Sequence, residues 1–363
     1  MRAVVLVGGE GTRLRPLTLT TPKQMLPIVE QPMIERVIGH LARHGIDDAV
    51  LSLGYRPDAF VSAYPGGTIA GVAVSYAVEP TPLDTAGAIR FAAQHASVDE
   101  TFVVVNGDVL TDLDISELVA FHRQSEAEAT ISLTPVDDPS AFGVVPTDGD
   151  GRVEAFIEKP PRDEAPTNLI NAGTYVFEPS VLGRIPEVGR VSVERDTFPA
   201  LVGAGTLFAQ GSDAYWLDTG TPDAYLRAHG DLLLGRRSGP PAPDAELDPS
   251  LGSGVWRIGD VEVQSTSVAR SLFGRGAAVA PGAVIEESVV GAGAVIEEGA
   301  TVKGSVLLPE ARVAARATVE GSVIGPGAIV GQRCAIHPLS VVGAGAVTAS
   351  GTVVDGERVA AGV

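Results

Sequence analysis

The chain has 363 residues, of which 45% are hydrophobic and 20% are charged, and its formal net charge is −19. This length favours two domains over one, and the hydrophobic fraction excludes a disordered chain. The strong negative charge argues against a protein that binds nucleic acid or anionic membranes, because both attract basic surfaces. A single cysteine, Cys334, excludes an intrachain disulfide and a cysteine-based zinc site, and it fits a reducing compartment.

Lysine is rare in this chain and occurs only at Lys23, Lys159 and Lys303, while the other basic residues are arginine. The lysine ammonium is a compact point charge, so the few lysines are candidates for binding phosphate. The first apolar run, residues 3–7, ends in Gly8-Gly9. It is too short for a signal peptide or a membrane helix. We therefore expect a cytoplasmic protein with no membrane partner.

Residues 1–235 alternate short apolar runs with helical patterns. Such alternation predicts an α/β domain with a mixed, mostly parallel sheet covered by helices. A Ser-Gly-Pro-Pro-Ala-Pro run at 238–243 cannot continue a helix, so 236–264 is predicted to be a linker. The predicted strands are 4–7, 49–53, 72–77 and 102–105, and the predicted helices are 33–44, 83–93 and 115–123.

Residues 265–363 are rich in valine, isoleucine, alanine and glycine, and an apolar residue recurs about every six positions. This period is typical of a β-helix in which each group of six residues forms one face of a triangular coil. A glycine-rich β-sandwich is the alternative. The inward-pointing positions are predicted to be Val284, Val290, Ile296, Val302, Leu308, Val313, Val319, Ile324, Val330, Ile336 and Val342.

A glycine-rich loop follows the first strand directly, at Gly8-Gly9-Glu10-Gly11-Thr12-Arg13. Glycines let backbone N–H groups approach a phosphate closely. The spacing matches neither the Rossmann fingerprint nor the Walker loop. Because Arg13 and Lys23 follow the loop, the region suits a triphosphate, which needs both N–H donors and cations.

The loop, continued through Leu14-Arg15-Pro16-Leu17-Thr18 and Pro22-Lys23-Gln24-Met25-Leu26-Pro27, closely resembles the sugar-1-phosphate nucleotidyltransferases. Further segments resemble this family in the same order along the chain, and the C-terminal repeats resemble the left-handed parallel β-helix of hexapeptide repeats that many members carry. These segments are 106–108, 142–145, 156–160, 171–173 and 216–222.

The resemblance implies a Rossmann-like nucleotidyltransferase domain over 1–235 and a left-handed β-helix over 265–363. It also implies transfer of a nucleotidyl group from an NTP to a sugar-1-phosphate, which releases pyrophosphate. Such a reaction needs positioning and charge neutralisation more than covalent chemistry from the protein. Aspartate oxygens suit Mg²⁺, and the resemblance makes Asp108 and Asp218 the metal ligands.

The resemblance assigns the remaining site residues by their motifs. Arg13 would hold the pyrophosphate, Lys23 would neutralise the α-phosphate region, and Lys159 would bind the sugar phosphate. Asp218 could instead cap the helix that follows it. The implied nucleotide-binding residues are Leu6, Gly8, Gly9, Gly11, Thr12, Thr85 and Gly87, and the implied sugar-binding residues are Gly143, Glu158 and Asn171.

The segments 79–88, 170–179 and 192–199 resemble the mannose-1-phosphate guanylyltransferase branch, which implies GTP and mannose-1-phosphate as substrates. Asp84 stands where that branch usually has glycine. Gln24 is more like the glucose-1-phosphate thymidylyltransferases, so thymidylyl or uridylyl transfer stays open.

Two other classes are weaker alternatives: a non-catalytic regulatory paralogue, and a β-helix acyltransferase that would use His337 as a base. The flat faces and open ends of a β-helix favour a homo-oligomer.

Overall fold

The structure is a computed structural model that describes residues 1–237 and 239–362, so Ser238 of the predicted linker and the terminal Val363 lie outside the described residues. The contacts divide the chain into two compact units. The first comprises Met1–Gly9 and Ile34–Leu217, and the second comprises Glu10–Met33 and Asp218–Val363. No helix among the described residues is long and apolar enough to cross a membrane. The predicted boundaries at 235 and 264 stay predictions.

The helices of the first 237 residues each bury one apolar face. Along α1, residues at helical spacing such as Ile34, Ile38 and Leu41 are fully buried. Predicted and observed helix ends differ by one or two residues, as fraying ends do. The helices are α1 (Met33–Arg43), α2 (Pro57–Ala63), α3 (Asp84–His95), α4 (Ile115–Gln124), α5 (Phe198–Ala204) and α6 (Pro222–Leu233).

The strands of this region are short and separated by turns or helices. In chain order they are β1 (Arg2–Leu6), β2 (Pro27–Ile28), β3 (Gln31–Pro32), β4 (Asp48–Leu53), β5 (Thr68–Ile69), β6 (Val72–Val78), β7 (Phe102–Asn106), β8 (Val109–Thr111), β9 (Ala129–Pro135), β10 (Gly143–Val144), β11 (Ile157–Glu158), β12 (Leu169–Phe177), β13 (Leu207–Gly211) and β14 (Trp216–Asp218).

The main sheet of the first unit is mixed and mostly parallel, as predicted. Strands β7, β1, β4 and β6 lie side by side and parallel, with Val4 opposite both Val104 and Val50. These strands are apolar along most of their length because both faces of a parallel sheet are covered. Strand β12 then runs antiparallel to β7 and β9. The central strands therefore end at one common edge, where the site residues follow.

The C-terminal strands stack into three parallel sheets, which is the predicted β-helix and is consistent with its left-handed form. Its interior is lined by valine, isoleucine, leucine and alanine. The strands are β15 (Glu246–Leu247), β16 (Trp256–Arg257), β17 (Glu262–Val263), β18 (Ser267–Ala269), β19 (Leu272–Phe273), β20 (Ala278–Val279), β21 (Val284–Glu286), β22 (Val289–Val290), β23 (Val295–Ile296), β24 (Thr301–Lys303), β25 (Val306–Leu307), β26 (Arg312–Val313), β27 (Thr318–Glu320), β28 (Val323–Ile324), β29 (Ile329–Val330), β30 (Ala335–Ile336), β31 (Val341–Val342), β32 (Val347–Thr348), β33 (Val353–Val354) and β34 (Arg358–Val359).

Two of the predicted inward positions are wrong. Ile285 and Leu307 belong to the buried core of the β-helix, whereas Val284 and Leu308 do not. The reason is the length of a turn: Leu272 pairs with Val289 and Val289 with Val306, so a turn advances 17 residues rather than 18. One face of each such turn therefore spans five residues, and the apolar position moves by one there.

A column of buried serines runs along one corner of the β-helix. Ser271, Ser288, Ser305, Ser322 and Ser340 are each at most 1% exposed. The hydroxyl of Ser305 donates to the carbonyl of Lys303 at 2.7 Å and accepts the N–H of Ser322 at 3.1 Å. The column thus satisfies backbone groups that the corner would otherwise bury without partners.

Candidate active site

The glycine-rich loop and the Asn-Gly-Asp segment leave neighbouring strands at the same edge of the sheet. Leu6 at the end of β1 lies opposite Asn106 at the end of β7, and the Gly107 N–H donates to the Leu6 carbonyl at 2.9 Å. Asp108 comes next and is partly exposed. The carboxyl ends of parallel strands are where α/β sheets bind ligands, so the placement of Gly8 and Asp108 fits a site.

A carboxylate lies directly beside this glycine. A Cβ at Gly8 would come within 3.2 Å of Glu79 Oε1, so only glycine leaves the loop its full room. Glu79 in turn accepts hydrogen bonds from the Ser52 hydroxyl and the Leu83 N–H, both at 3.1 Å. Glu79 thereby fixes the start of the segment at 79–87 that carries Thr85 and Gly87.

Thr85 joins this segment to a second one at 192–197. Its hydroxyl donates to Glu194 Oε2 at 2.8 Å and accepts the Val193 N–H at 2.8 Å. Glu194 also accepts the Ser192 hydroxyl at 2.7 Å. The side chain of Thr85 is therefore engaged within the protein, and the N–H groups of Ala86 and Gly87 donate to the Val191 carbonyl at 2.9 and 3.2 Å.

Asp84 adopts the left-handed backbone conformation that glycine favours, with φ at +62°. Its carboxylate accepts the Thr85 N–H at 2.9 Å and pairs with Arg195 at 3.2 Å. Aspartate tolerates this conformation because a short polar side chain can bond locally. The departure from glycine is thus accommodated without a change in backbone geometry.

At the edge of the main sheet beyond β12, Gly143 in β10 pairs with Glu158 in β11. A Cβ at Gly143 would lie 2.4 Å from the ring of Phe156 and 3.2 Å from Glu158 Oε2. A larger residue would displace both side chains. Lys159 follows with φ at +50°, its N–H held by the Phe142 carbonyl and its ammonium 2.9 Å from Glu158.

Asn171 is oriented by a buried tyrosine. Its amide nitrogen donates to the Tyr175 hydroxyl at 3.0 Å, and its oxygen accepts the Gly173 N–H at 2.9 Å. Burial raises the pKa of Tyr175, and the negative charges of Glu194, Glu158 and Asp108 add to this. The tyrosine therefore stays protonated and neutral near these three carboxylates.

The second unit contains the cationic half of the predicted site. Gly11 has φ at +63°, and a Cβ there would come within 3.1 Å of the Lys23 side chain and 3.0 Å of Thr18. The Thr18 hydroxyl donates to the Gly11 carbonyl at 2.8 Å. Gly11 thus lets the loop approach both Thr18 and the Lys23 side chain closely.

Arg13 reaches Asp218 in the same unit, with Nη2 and Oδ2 3.7 Å apart. A Cβ at Gly220 would lie 2.4 Å from the Arg13 guanidinium, so a larger residue there would displace the end of the Arg13 side chain. The Gly220 N–H donates to Asp218 Oδ1 at 2.8 Å. Thr221, not Asp218, caps α6, since its hydroxyl accepts the Ala224 N–H at 3.2 Å. Helix capping therefore does not explain Asp218.

The carboxylates of Asp108 and Asp218 are the donors predicted for a divalent cation. Within residues 1–237 and 239–362 no group of three or more His, Cys, Asp or Glu side chains could hold a metal ion alone. Asp108 and Asp218 are partly exposed carboxylates. Mg²⁺ typically takes one or two carboxylates and completes its shell with substrate phosphates and water. Each of these residues therefore fits the part of a carboxylate ligand to a cation that arrives with a nucleotide.

The predicted site residues thus fall into two sets, each brought together by the fold of its own unit. The sequence did not single out Glu194 or Tyr175, although both lie in segments whose resemblance was noted, 192–199 and 170–179. The set of the first unit is Leu6, Gly8, Gly9, Thr85, Gly87, Asp108, Gly143, Glu158, Lys159 and Asn171, and the set of the second is Gly11, Thr12, Arg13, Lys23 and Asp218.

Comparison with known proteins matches both parts of the chain to families. The nucleotidyl transferase family matches residues 2–234, and the GMPPB C-terminal domain matches residues 268–361. A mannose-1-phosphate guanylyltransferase of Mycobacterium tuberculosis is 41% identical over 287 residues, which are 78% of each chain.

Two solved structures share the fold. HddC from Yersinia pseudotuberculosis, complexed with GMP-PN, has a TM-score of 0.55 and 30% identity over 63% of this chain and 97% of its own. A Bacillus anthracis protein described provisionally as a glucose-1-phosphate thymidylyltransferase has a TM-score of 0.59 and 27% identity, over 66% and 96%. The family indicated by the motifs is confirmed: the chain belongs to the nucleotidyl transferase family.

Proposed function

We propose that this protein transfers a guanylyl group from GTP to mannose-1-phosphate, which gives GDP-mannose and pyrophosphate. The observation that carries the proposal is that each unit has its own cationic region: Arg13 and Lys23 on one glycine-rich segment, and Lys159 beside the sugar-side residues Glu158 and Asn171. Two cationic regions suit two phosphorylated substrates. The enzyme of Mycobacterium tuberculosis, 41% identical, supports this choice of base and sugar.

The chemistry requires little covalent participation by the protein. An oxygen of the sugar phosphate attacks the α-phosphorus of the nucleotide, and the bond to the leaving pyrophosphate breaks. Arg13 would hold the leaving pyrophosphate, and Lys23 would offset charge at the α-phosphate. Lys159 would bind the attacking phosphate. Cations that are fixed before the reaction stabilise charge that develops in the transition state.

The remaining side chains orient the substrates. By its resemblance to the family, the segment at 79–87 would bind the base, and hydrogen bonds of Glu79 and Thr85 fix it at both ends. Asn171 and Glu158 would receive sugar hydroxyls. Asp108 and Asp218 would hold Mg²⁺, which when bound supplies Lewis-acid polarisation of the phosphates.

Thymidylyl or uridylyl transfer to a glucose-type sugar is the second candidate. The observation in its favour is the fold likeness to the Bacillus anthracis protein, at 27% identity. The matched families and relatives give no comparable support for an acyltransferase role of His337.

Self-association and a cytoplasmic location belong to the same proposal. The last turns of the β-helix expose apolar side chains, among them Val347 at 65% and Val353 at 62%. Exposed apolar residues beside an open sheet edge suit a contact between copies. Light scattering of the full chain measures the size of the assembly directly.

The test of the function is pyrophosphate release with five nucleotides (GTP, dTTP, UTP, ATP, CTP) against mannose-, glucose- and N-acetylglucosamine-1-phosphate. We expect the highest kcat/KM with GTP and mannose-1-phosphate. Replacing either proposed metal ligand, as in Asp108→Asn or Asp218→Asn, should lower kcat on the order of 10²-fold or more, because charge stabilisation is lost.

A matched control is Asp114→Asn, since Asp114 caps α4 and asparagine caps a helix equally well. This variant should retain the wild-type rate. Wild-type turnover in Asp108→Asn would contradict the role of the metal, and a preference for dTTP or UTP would establish the second candidate.

A further inference from the structure

The segment that carries Arg13 and Lys23 packs against the β-helix within the second unit. Its last part is the hairpin β2–β3, which turns at Val29 and Glu30. The Glu30 carboxylate accepts the N–H of Ala292 at 3.1 Å, and a Cβ at Gly274 would lie 2.7 Å from the same oxygen. Both partners are corner residues of neighbouring turns of the coil. The hairpin tip therefore sits directly on the β-helix.

The turn at this tip is strained. Val29 has φ at +48° and Glu30 has φ at +63°. Positive φ at both central residues is the type I′ geometry, which strongly prefers asparagine and glycine, and a β-branched residue such as Val29 is an outlier there. Strain of this kind persists when the surroundings over-determine the backbone. The N–H of Val29 is bound by His229 Nδ1 at 3.2 Å, and Tyr225 donates to the Pro27 carbonyl.

A second contact fixes the other end of the segment. A Cβ at Gly343 would lie 2.8 Å from Pro16 Cγ, so the proline ring packs against the bare backbone of a later turn of the coil. Arg13 lies three residues before Pro16, and Lys23 lies between the two contacts. The two ends of the cationic segment therefore rest on two levels of one rigid stack.

We propose that the β-helix is a positioning element of the catalytic site and that Glu30 is the positioning residue through which it holds Lys23. The inference rests on the proposed function, since it assumes that Lys23 serves nucleotidyl transfer. Turns of a β-helix are stiff because the strands of each turn are hydrogen-bonded to those of the next level. A cation mounted on such a stack keeps its place during the reaction, and misplacement by about 1 Å can cost on the order of 10²-fold in rate.

The Glu30 carboxylate accepts a backbone N–H, which an uncharged oxygen can also accept. Burial raises the pKa of the Glu30 carboxyl, and the Ala292 N–H opposes this shift. A neutral side chain with an oxygen in the same place should therefore serve as well. Glu30→Gln preserves the acceptor for Ala292, whereas Glu30→Ala removes it and leaves the strained turn with one fewer tether.

The experiment measures kcat and KM for GTP and mannose-1-phosphate in the full chain. We expect kcat of Glu30→Ala to fall about tenfold or more, with each KM within about threefold of the wild type, because binding groups stay while one cation loses its position. Glu30→Gln should restore kcat to within about twofold. A merely structural role would lower the melting temperature without this division between kcat and KM.

Glu297→Ala is the matched control. Glu297 also accepts a coil N–H, from Ala315 at 2.9 Å, and it pairs with Arg312. Both of these partners belong to the β-helix. This variant should lose stability and keep kcat. If it lowers kcat as much as Glu30→Ala does, the effect is general loosening of the coil and the proposal is overturned.

A pair of glycine substitutions tests the second contact without touching Glu30. Gly343→Ala would meet Pro16 at 2.8 Å and the coil backbone at 3.2 Å, whereas Gly331→Ala would meet the coil backbone at Thr348, at 2.5 Å. We expect Gly343→Ala to lower kcat and Gly331→Ala to disturb the coil with less effect on kcat. An inactive wild type would refute the proposed function. An active wild type whose kcat is indifferent to Glu30→Ala would refute the positioning role.

Discussion

Asp84 offers a direct test of how the segment at 79–87 keeps its shape. It has φ at +62°, its carboxylate accepts the Thr85 N–H at 2.9 Å, and it pairs with Arg195 at 3.2 Å. Three substitutions separate these contributions. Asparagine retains the local hydrogen bond, glycine removes the backbone strain, and alanine retains the strain without either interaction.

The magnitudes follow from these contacts. A residue with a Cβ in the left-handed region costs about 1–2 kcal/mol, and the local hydrogen bond contributes about 1 kcal/mol. The Asp84–Arg195 pair adds about 0–1 kcal/mol, because Arg195 is 67% exposed and solvent screens the pair. We therefore expect Asp84→Asn and Asp84→Gly to unfold within about 1 kcal/mol of the wild type, and Asp84→Ala to lose about 2 kcal/mol.

The assay is urea unfolding followed by the fluorescence of Trp216, which belongs to the first unit. Trp256 belongs to the second, so every variant is made in a Trp256→Phe background. The difference between the alanine and glycine variants is the decisive number, since they share the loss of the carboxylate. Equal stability of these two variants would refute the reasoning, because backbone strain would then contribute nothing.

Two further predictions concern stability. Ser305→Ala removes the acceptor of the buried Ser322 N–H and a donor to the Lys303 carbonyl. The free energy of unfolding should therefore fall by about 1–3 kcal/mol, which calorimetry measures. An unchanged melting temperature would contradict a role for the serine column. His40 is buried beside Arg43 and His44, and burial lowers its pKa to about 4. A lowered histidine pKa favours the neutral form in the fold, so stability is complete above about pH 6.5 and declines as the pH falls towards about 4. His40→Asn should flatten that decline relative to the wild type in urea titrations at pH 4–7, and parallel curves for the two proteins would exclude His40 as the cause.

The strands and the coil could be predicted because the spacing of apolar residues along the chain determines which positions are buried. The apolar runs that became β1, β4, β6 and β7 are buried on both faces, and a run of this kind has few other places in a fold. Likewise, the six-residue period identified the coil. It misassigned Val284 and Leu308 because a period read from spacing cannot tell where one face of a 17-residue turn is shortened.

Long-range contacts account for what the sequence did not reveal. Glu30 and Ala292 are 262 residues apart, and no spacing rule links a hairpin tip to a coil corner. The grouping of Glu10–Met33 with the C-terminal residues rests on such contacts. The site residues were found from motifs instead. Gly143, in one of these motifs, leaves no room for a Cβ beside the Phe156 ring, at 2.4 Å, so a larger residue there would displace the ring.

Successive turns of the β-helix are evenly spaced, so the number of turns between two residues sets their distance along the coil. Ala292 and Gly343 lie three turns apart, and neighbouring strands are spaced about 4.8 Å, so the two supports of the cationic segment are separated by about 14 Å along the stack. Inserting or deleting a whole turn between them would preserve every ladder of the coil and still move one support by a full step. Changes in tail length are therefore tolerable only before the first support or after the second, which leaves the last turn free to vary.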